Sequence, residues 1–369
     1  VLRMNRRGRE GVIGPWLLRL QLVLFLFRVC SADPISLGVG FAVAAGSGGF
    51  FWFRQEIRCR FFECCDAPHI AHDFANLRAE LEEWVYGQHL VQETLLPSLR
   101  AHFTRQPSKP LVLSFHGATG SGKNHVARII ARNLYKKGMA SQFVHHIVAT
   151  AEFPDKSRMY EYQLDLQSRL QKAVADCPRS LFIFDEVDKL PESLLGAIKP
   201  FLDYHDSVRG IDFRQAIFIL LSNAGGEAIS KQTITHRREG RVRTQLKAAS
   251  LERTVSEHVF NTAGGLRMSE LISNHLIDHF VPFLPLEREH VKRCVEFYLD
   301  SRSIGSSRDT EMVEEVMSSL QFYPSDDPVF SSSGCKRVEQ KAEIALYKRR
   351  DKYGQRSTEQ AARDTHDDI

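Results

Sequence analysis

The chain carries no N-glycosylation sequon, no CxxC paired with a second CxxC or with spaced histidines, no internal repeat and no long block of one charge. The missing Cys/His spacing argues against a structural zinc site. A formal net charge of +4, from 49 Lys and Arg against 45 Asp and Glu, is too small to imply a nucleic-acid partner. Short basic runs such as "HRREGR" at 236–241 read as solvated surface. An NKxD guanine-reading motif is absent too. With 369 residues, 43% of them apolar, the chain can bury one large core or two modest ones.

What is present begins with a basic flank (Arg6, Arg7, Arg9), then an apolar run from Trp16 to Phe27 interrupted only by Arg19 and Gln21. Small residues follow at Ser31 and Ala32. That order predicts a secretory signal peptide over 1–32, with an uncut signal anchor as the alternative. A hydrophobic segment follows at 33–54, with no charge between Asp33 and Arg54. Residues 34–53 come near the ~20 residues that cross a bilayer. Gly38, Gly40, Gly46, Gly48 and Gly49 weaken a helix there, while Phe50, Phe51, Trp52 and Phe53 crowd one end as an interface belt would. The expectation is membrane attachment, in one leaflet or spanning, against a buried hairpin. Of seven cysteines, Cys30 would leave with the signal. In an oxidising lumen, disulfides are the default for Cys59, Cys64, Cys65, Cys177, Cys294 and Cys335.

Helical periodicity runs from about Asp73 to Phe103. The apolar run "LVLSFH" (111–116) then leads into "GATGSGKN" (117–124), and a helical pattern follows at 126–137. Further buried-strand candidates are "FVHHIV" (143–148), "SLFIFD" (180–185) and "AIFILLSN" (216–223), with helical stretches at 157–175 and 191–203 between them. Alternation of this kind predicts an α/β fold, a parallel sheet sandwiched by helices. Strand signals stop after "NAGG" (223–226). The predicted organisation is a large α/β nucleotide-binding domain over 55–265, a small helical subdomain over 266–347 and a charged, apolar-poor tail over 348–369.

Strand, glycine loop and helix form the context of a phosphate-binding loop. In Gly117, Ala118, Thr119, Gly120, Ser121, Gly122, Lys123 and Asn124, backbone N–H groups turn inward and the helix adds its positive end. Lys123 can reach the β and γ phosphates of ATP. Asn124 stands where Ser or Thr usually serves Mg2+, and offers a neutral amide oxygen, a hard ligand the ion accepts. Asp185 and Glu186 end an apolar strand at the carboxyl edge of the sheet, where ligands bind. Asp185 suits the metal and Glu186 suits the attacking water. Asp188 and Lys189 read as a solvated helix start. Asn223 ends another strand and can reach between the γ-phosphate and the water. Lys336 in "SSGCKRV" is placed to touch the γ-phosphate from the small subdomain.

Together "GQHL", "GATGSGKN", "FIFDEVDKL", "IKPFLDYHD", "FILLSNAG", "LIDHFVPFLPLE" and "GCK" resemble torsins, AAA+ ATPases of the endoplasmic reticulum lumen and nuclear envelope, and most of all their torsinA/torsinB branch. The likeness spans about 56–345. It implies that 117–124 is Walker A, Asp185 and Glu186 Walker B, Asn223 sensor 1 and Lys336 sensor 2, with Val85 to Gln88 ("VYGQ") where Clp-type relatives cradle adenine. It further implies a Cys294–Cys335 disulfide beside sensor 2 and a second from Cys59 to Cys177, though Cys64 and Cys65 also compete for Cys177. Torsins are similar in lacking an arginine finger, whose place here falls on Leu276. The resemblance therefore implies an ATP hydrolase activated by a membrane-bound partner, the lumenal domain of lamina-associated polypeptide one or its luminal-domain-like relative, and working as a homo-oligomer. The alternative function is an ATP-regulated membrane scaffold with little turnover. Region 226–265 matches torsins loosely.

Overall fold

The computed structural model describes Cys59 and residues 62–350, apart from 68, 263–265, 268 and 303–308. The predicted signal (1–32), the hydrophobic segment (33–54) and residues 351–369 of the tail lie outside the described residues. Among those described, no helix is long and apolar enough to cross a membrane. From Glu63 onward the described residues form one compact unit.

Five strands form one parallel sheet: β1 (Leu111–His116), β2 (Val144–Val148), β3 (Leu181–Asp185), β4 (Ile217–Ser222) and β5 (His279–Pro282), in the order β2-β3-β4-β1-β5. The apolar runs of β1, β3 and β4 are near-continuous because helices cover both faces. Side chains alternate between two cores. Leu111, Leu113 and Phe115 pack with α1 (Phe74–Trp84), α2 (His89–Thr104) and α3 (Lys123–Leu134). Val112 instead joins Phe182, Phe184, Phe218 and Leu220 against α4 (Met159–Asp176) and α5 (Glu192–Ile198).

Two helices, α6 (Gly226–Arg238) and α7 (Ala248–Asn261), occupy the region that matches torsins loosely, and β5 follows them. β5 was not foreseen. Its four residues begin with a histidine and end with a proline, so no apolar run announces it. Pro282 is tolerated because β5 is an edge strand, where a missing N–H leaves no ladder partner unmatched. Leu266, Leu271, Leu276 and Leu284 bury into the sheet's core, and the third core begins only at Leu286. The small subdomain therefore starts near 286, not at 266. It comprises α8 (Arg288–Ser301), α9 (Thr310–Ser318), a two-stranded hairpin of β6 (Phe322–Tyr323) with β7 (Phe330–Ser331), and α10 (338–350).

Cys294 on α8 is joined to Cys335, just before α10, with Cα atoms 6.1 Å apart. Cys177 is joined to Cys65, not to Cys59 as the resemblance implied, across a Cα–Cα distance of 5.3 Å. The cause is local. Glu63 Oε2 accepts from the Gln142 backbone N–H (2.9 Å), and the Glu63 carbonyl accepts from Gln142 Nε2 (2.8 Å). These bonds lay residues 63–65 beside the start of β2, and Cys65 packs into the core that holds Cys177. Cys59 and Cys64 are also in disulfide form. The Cys65–Cys177 bridge closes a loop with a sequence separation of 112. Chain-entropy scaling gives it about 5 kcal/mol of stability. The double variant Cys65→Ala/Cys177→Ala should unfold in denaturant with that loss, while a non-reducing digest of the wild type yields a linked Cys65 and Cys177 peptide pair.

Candidate nucleotide-binding site

The loop between β1 and α3 is built from left-handed turns that glycine alone adopts freely, with φ of 81° at Gly120 and 109° at Gly122. Gly122 caps α3, which starts directly at Lys123. Lys123 Nζ donates to the carbonyls of Gly117 (2.7 Å) and Ala118 (3.1 Å) and to Asn223 Oδ1 (3.0 Å). All three acceptors are neutral. Burial pulls the ammonium down to about 8, against the opposing pull of Asp188 and Asp185. Next to it, Ser121 Oγ is buried without a partner. A buried cation served only by neutral oxygens, beside an orphaned hydroxyl, is a cradle for an anion.

Asp185 closes the opposite wall. Asn124 Nδ2 donates to its Oδ2, the Glu186 N–H donates to its Oδ1 (2.9 Å), and His146 Nε2 stands 3.7 Å away. Burial works against ionisation of Asp185, but the nearby His146 and the hydrogen bonds from Asn124 and the Glu186 N–H together hold its carboxyl below the ordinary range. Glu186 sits at φ 58°, a conformation uncommon for a residue with a side chain. Its carboxylate Oε2 accepts a hydrogen bond from Thr150 Oγ1. Nothing in the local sequence ties Thr150, in the short helix Ala149–Glu152 after β2, to Glu186.

Asp188 departs from its sequence reading as a solvated position. Its side chain is only 10% exposed. Its Oδ1 accepts from the Asn223 N–H (2.9 Å) and from Ser222 Oγ (3.3 Å), so Asp188 pins the end of β4. That places Asn223 Oδ1 on Lys123. Gly226 presses on the phosphate loop: a Cβ there would come within 2.7 Å of Ala118 N.

From the small subdomain, Ser333 and Gly334 touch the same loop. A Cβ on Gly120 would strike the Ser333 carbonyl, and one on Gly334 the Gly120 carbonyl; the Cys335 N–H points at Gly120 O (3.4 Å). Lys336 follows directly, with its side chain exposed. The structure thus brings Lys123, Asn124, Asp185, Glu186 and Asn223 into one cluster, and sets the backbone before Lys336 against Gly120.

The chain is similar in fold to solved structures titled "S. cerevisiae Hsp104-ADP complex" and "Closed State CryoEM Reconstruction of Hsp104:ATPyS and FITC casein". The TM-scores are 0.51 and 0.50, each at 18% identity over 72% of this chain and 45% of the other. At that identity the likeness speaks for the AAA+ fold. The chain spans less than half the length of those structures. Residues 59–184 match the family described as Torsin, and 286–344 the family described as Torsin-1A, C-terminal domain. A "Torsin-like protein" of Caenorhabditis elegans is 48% identical over 337 residues, covering 89% of this chain and 95% of its own. The chain belongs to the torsin family. A "Torsin-like protein" of Drosophila melanogaster is 36% identical over 88% of this chain and 96% of its own.

Torsin membership and the AAA+ fold support an ATPase-type, chaperone-like role with nucleotide binding, for which Mg2+ is the usual companion. The donor set fits that ion. Mg2+ is commonly held by one carboxylate with neutral oxygens, waters and substrate phosphates, and this torsin offers ionised Asp185 beside Asn124. Leu276, the position implied for an arginine finger, is a core residue of this torsin, 1% exposed. The exposed residues before it, Ser273, Asn274 and His275, carry no guanidinium or ammonium.

Two histidines beside the torsin site are held neutral. His116 donates from Nδ1 to the Ala224 carbonyl (3.0 Å), so in the neutral ring Nε2 accepts from the Ser114 hydroxyl (2.7 Å); burial pushes its pKa down to about 4. His290 is pushed to about 4 by burial, then by Arg243 and Arg293. A folded pKa below the unfolded value means the unfolded chain binds more protons, so stability falls as pH drops. Each histidine should forfeit about 3 kcal/mol between pH 6.5 and pH 4. Denaturant unfolding across that range should show the loss, and His290→Gln should flatten its slope.

Proposed function

We propose that this chain is a Mg-ATP-dependent remodelling ATPase of the endoplasmic reticulum lumen and nuclear envelope. It is attached to membrane through 34–53 and hydrolyses ATP when a membrane-bound partner supplies an arginine. The observation that carries the reading is Lys123, buried among neutral acceptors in a loop whose Ser121 hydroxyl is also buried without a partner. Phosphates placed there would take over the donors that now serve the loop's own carbonyls. Asp185 and Asn124 would hold Mg2+, which neutralises charge on the phosphates when bound. Glu186 would orient and deprotonate the attacking water once its carboxylate leaves Thr150, and Asn223 would bridge that water and the γ-phosphate.

The burial of Leu276 supports the need for a partner. Loss of a cation at the transferring phosphoryl group costs phosphoryl transfer on the order of 10³–10⁵ in rate. The expected partner is the lumenal domain of lamina-associated polypeptide one or its luminal-domain-like relative, acting on a homo-oligomer of this chain. ATP turnover of the purified full chain, measured with and without that lumenal domain, should rise by orders of magnitude on addition. Fast turnover of the chain alone, or none with the partner, counts against the proposal.

A second reading, an ATP-regulated scaffold with little turnover, draws on the Thr150 contact, which occupies the Glu186 carboxylate in the resting site.

A further inference from the structure

Three residues of α8 lie along the segment that joins α1 to α2. Trp84 and Phe297 meet edge to face with centroids 4.9 Å apart, the Arg293 guanidinium lies 4.3 Å over the Tyr86 ring, and the His290 ring faces Gly87 so closely that a Cβ there would come within 2.6 Å of Cε1. Positions 290, 293 and 297 share one helix face, so α8 of the small subdomain runs along 84–87 of the large one. Gln88 ties the segment's other side to the phosphate loop. Its Nε2 donates to the Ser121 carbonyl (3.1 Å) and the Leu284 carbonyl (2.8 Å), and its Oε1 accepts from the Leu284 N–H (2.8 Å). Residues 85–88 therefore border the phosphate loop at the seam between the subdomains.

One side chain from outside both elements locks this seam. Arg243, between α6 and α7, donates to the Gly87 carbonyl from Nε (3.1 Å) and Nη2 (2.7 Å), and from Nη1 to Glu287 Oε1 (3.0 Å). Glu287 in turn caps α8. The Arg243 side chain is 12% exposed and that of Glu287 16%. The planar guanidinium fork puts two N–H groups on the Gly87 carbonyl and a third on the Glu287 carboxylate, a fixed spread of donors that a compact ammonium does not reproduce.

We propose that Arg243 is a positioning residue that sets the base-side wall of the nucleotide site, by fixing Gly87 to the head of α8. The inference rests on the reading of 117–124 as an ATP-binding loop. It separates two parts of the ligand: the base and ribose depend on Arg243, whereas the phosphates depend on Lys123.

The test is calorimetric titration of the full-length chain with Mg-ATP and, separately, with Mg-tripolyphosphate, which has phosphates and no base. Arg243→Gln should weaken ATP at least tenfold and leave tripolyphosphate within twofold of the wild type. Arg243→Lys, which keeps the charge without the fork, should fall between. Unchanged ATP affinity in Arg243→Gln would overturn the proposal. So would equal weakening of both ligands in both variants, which would mark Arg243 as a general support of the fold. A wild type that binds tripolyphosphate but not ATP also overturns it while sparing the phosphate loop; one that binds neither ends the nucleotide reading and this inference with it.

Discussion

Lys123→Met should weaken ATP binding about a thousandfold and, in the same molecule, raise the stability of the nucleotide-free chain. The side chain is buried, and its ammonium meets only the carbonyls of Gly117 and Ala118 and the amide oxygen of Asn223. Burial lowers its pKa from the ordinary 10.5 to about 8, so the folded chain disfavours the charge. Below pH 8 that cost is fully present, about 3 kcal/mol. Between 8 and 10.5 the unfolded chain binds the extra proton, so wild-type stability rises with pH and the variant's advantage shrinks. At pH 7 the variant should melt roughly 5 °C higher. ATP affinity should fall about a thousandfold, near 4 kcal/mol, because phosphate oxygens lose a buried charged donor. Thermal melts at pH 7 and pH 10 with calorimetric titration check both halves. A variant that is less stable at pH 7, or whose ATP affinity stays within tenfold of wild type, contradicts the account of this site.

Glu186→Gln should keep ATP binding and lose hydrolysis. The glutamine is isosteric, so the left-handed backbone and the bond from Thr150 survive, but an amide cannot take a proton from water. General-base removal costs typically 10²–10⁴ in rate. Partner-stimulated turnover should drop by that factor with ATP affinity within threefold of wild type. If Glu186→Gln instead restores function in cells lacking the wild-type chain, turnover is dispensable and the scaffold reading prevails.

Both predictions use residues visible before any coordinates, which reflects how phosphate loops are made. A glycine loop, its lysine and the adjoining helix are contiguous in sequence, and "LVLSFH" and "SLFIFD" advertise strands buried on both faces. Asp185, Glu186 and Asn223 were legible because each ends such a strand at one edge of the sheet. The other half of the site was hidden. Asp188 looked like a helix start, yet it holds the backbone of Asn223, 35 residues on. Thr150 reaches Glu186 across 36 residues, and Arg243 reaches Gly87 across 156. None of these has a local signature, since a threonine in a short helix or an arginine between helices is ordinary wherever it occurs.

Sequence by itself determined the parallel α/β core, the phosphate loop and the acidic pair, since each is encoded by neighbours along the chain through helix and strand periodicity and glycine's backbone freedom. Only the tertiary structure decided that Cys177 joins Cys65, that "HFVP" completes the sheet, that the small subdomain begins near 286 and that Arg243 locks the seam. The physical reason is distance: those features depend on which remote segments share a face after folding, and the strength of each contact is set by burial that no window of local sequence contains.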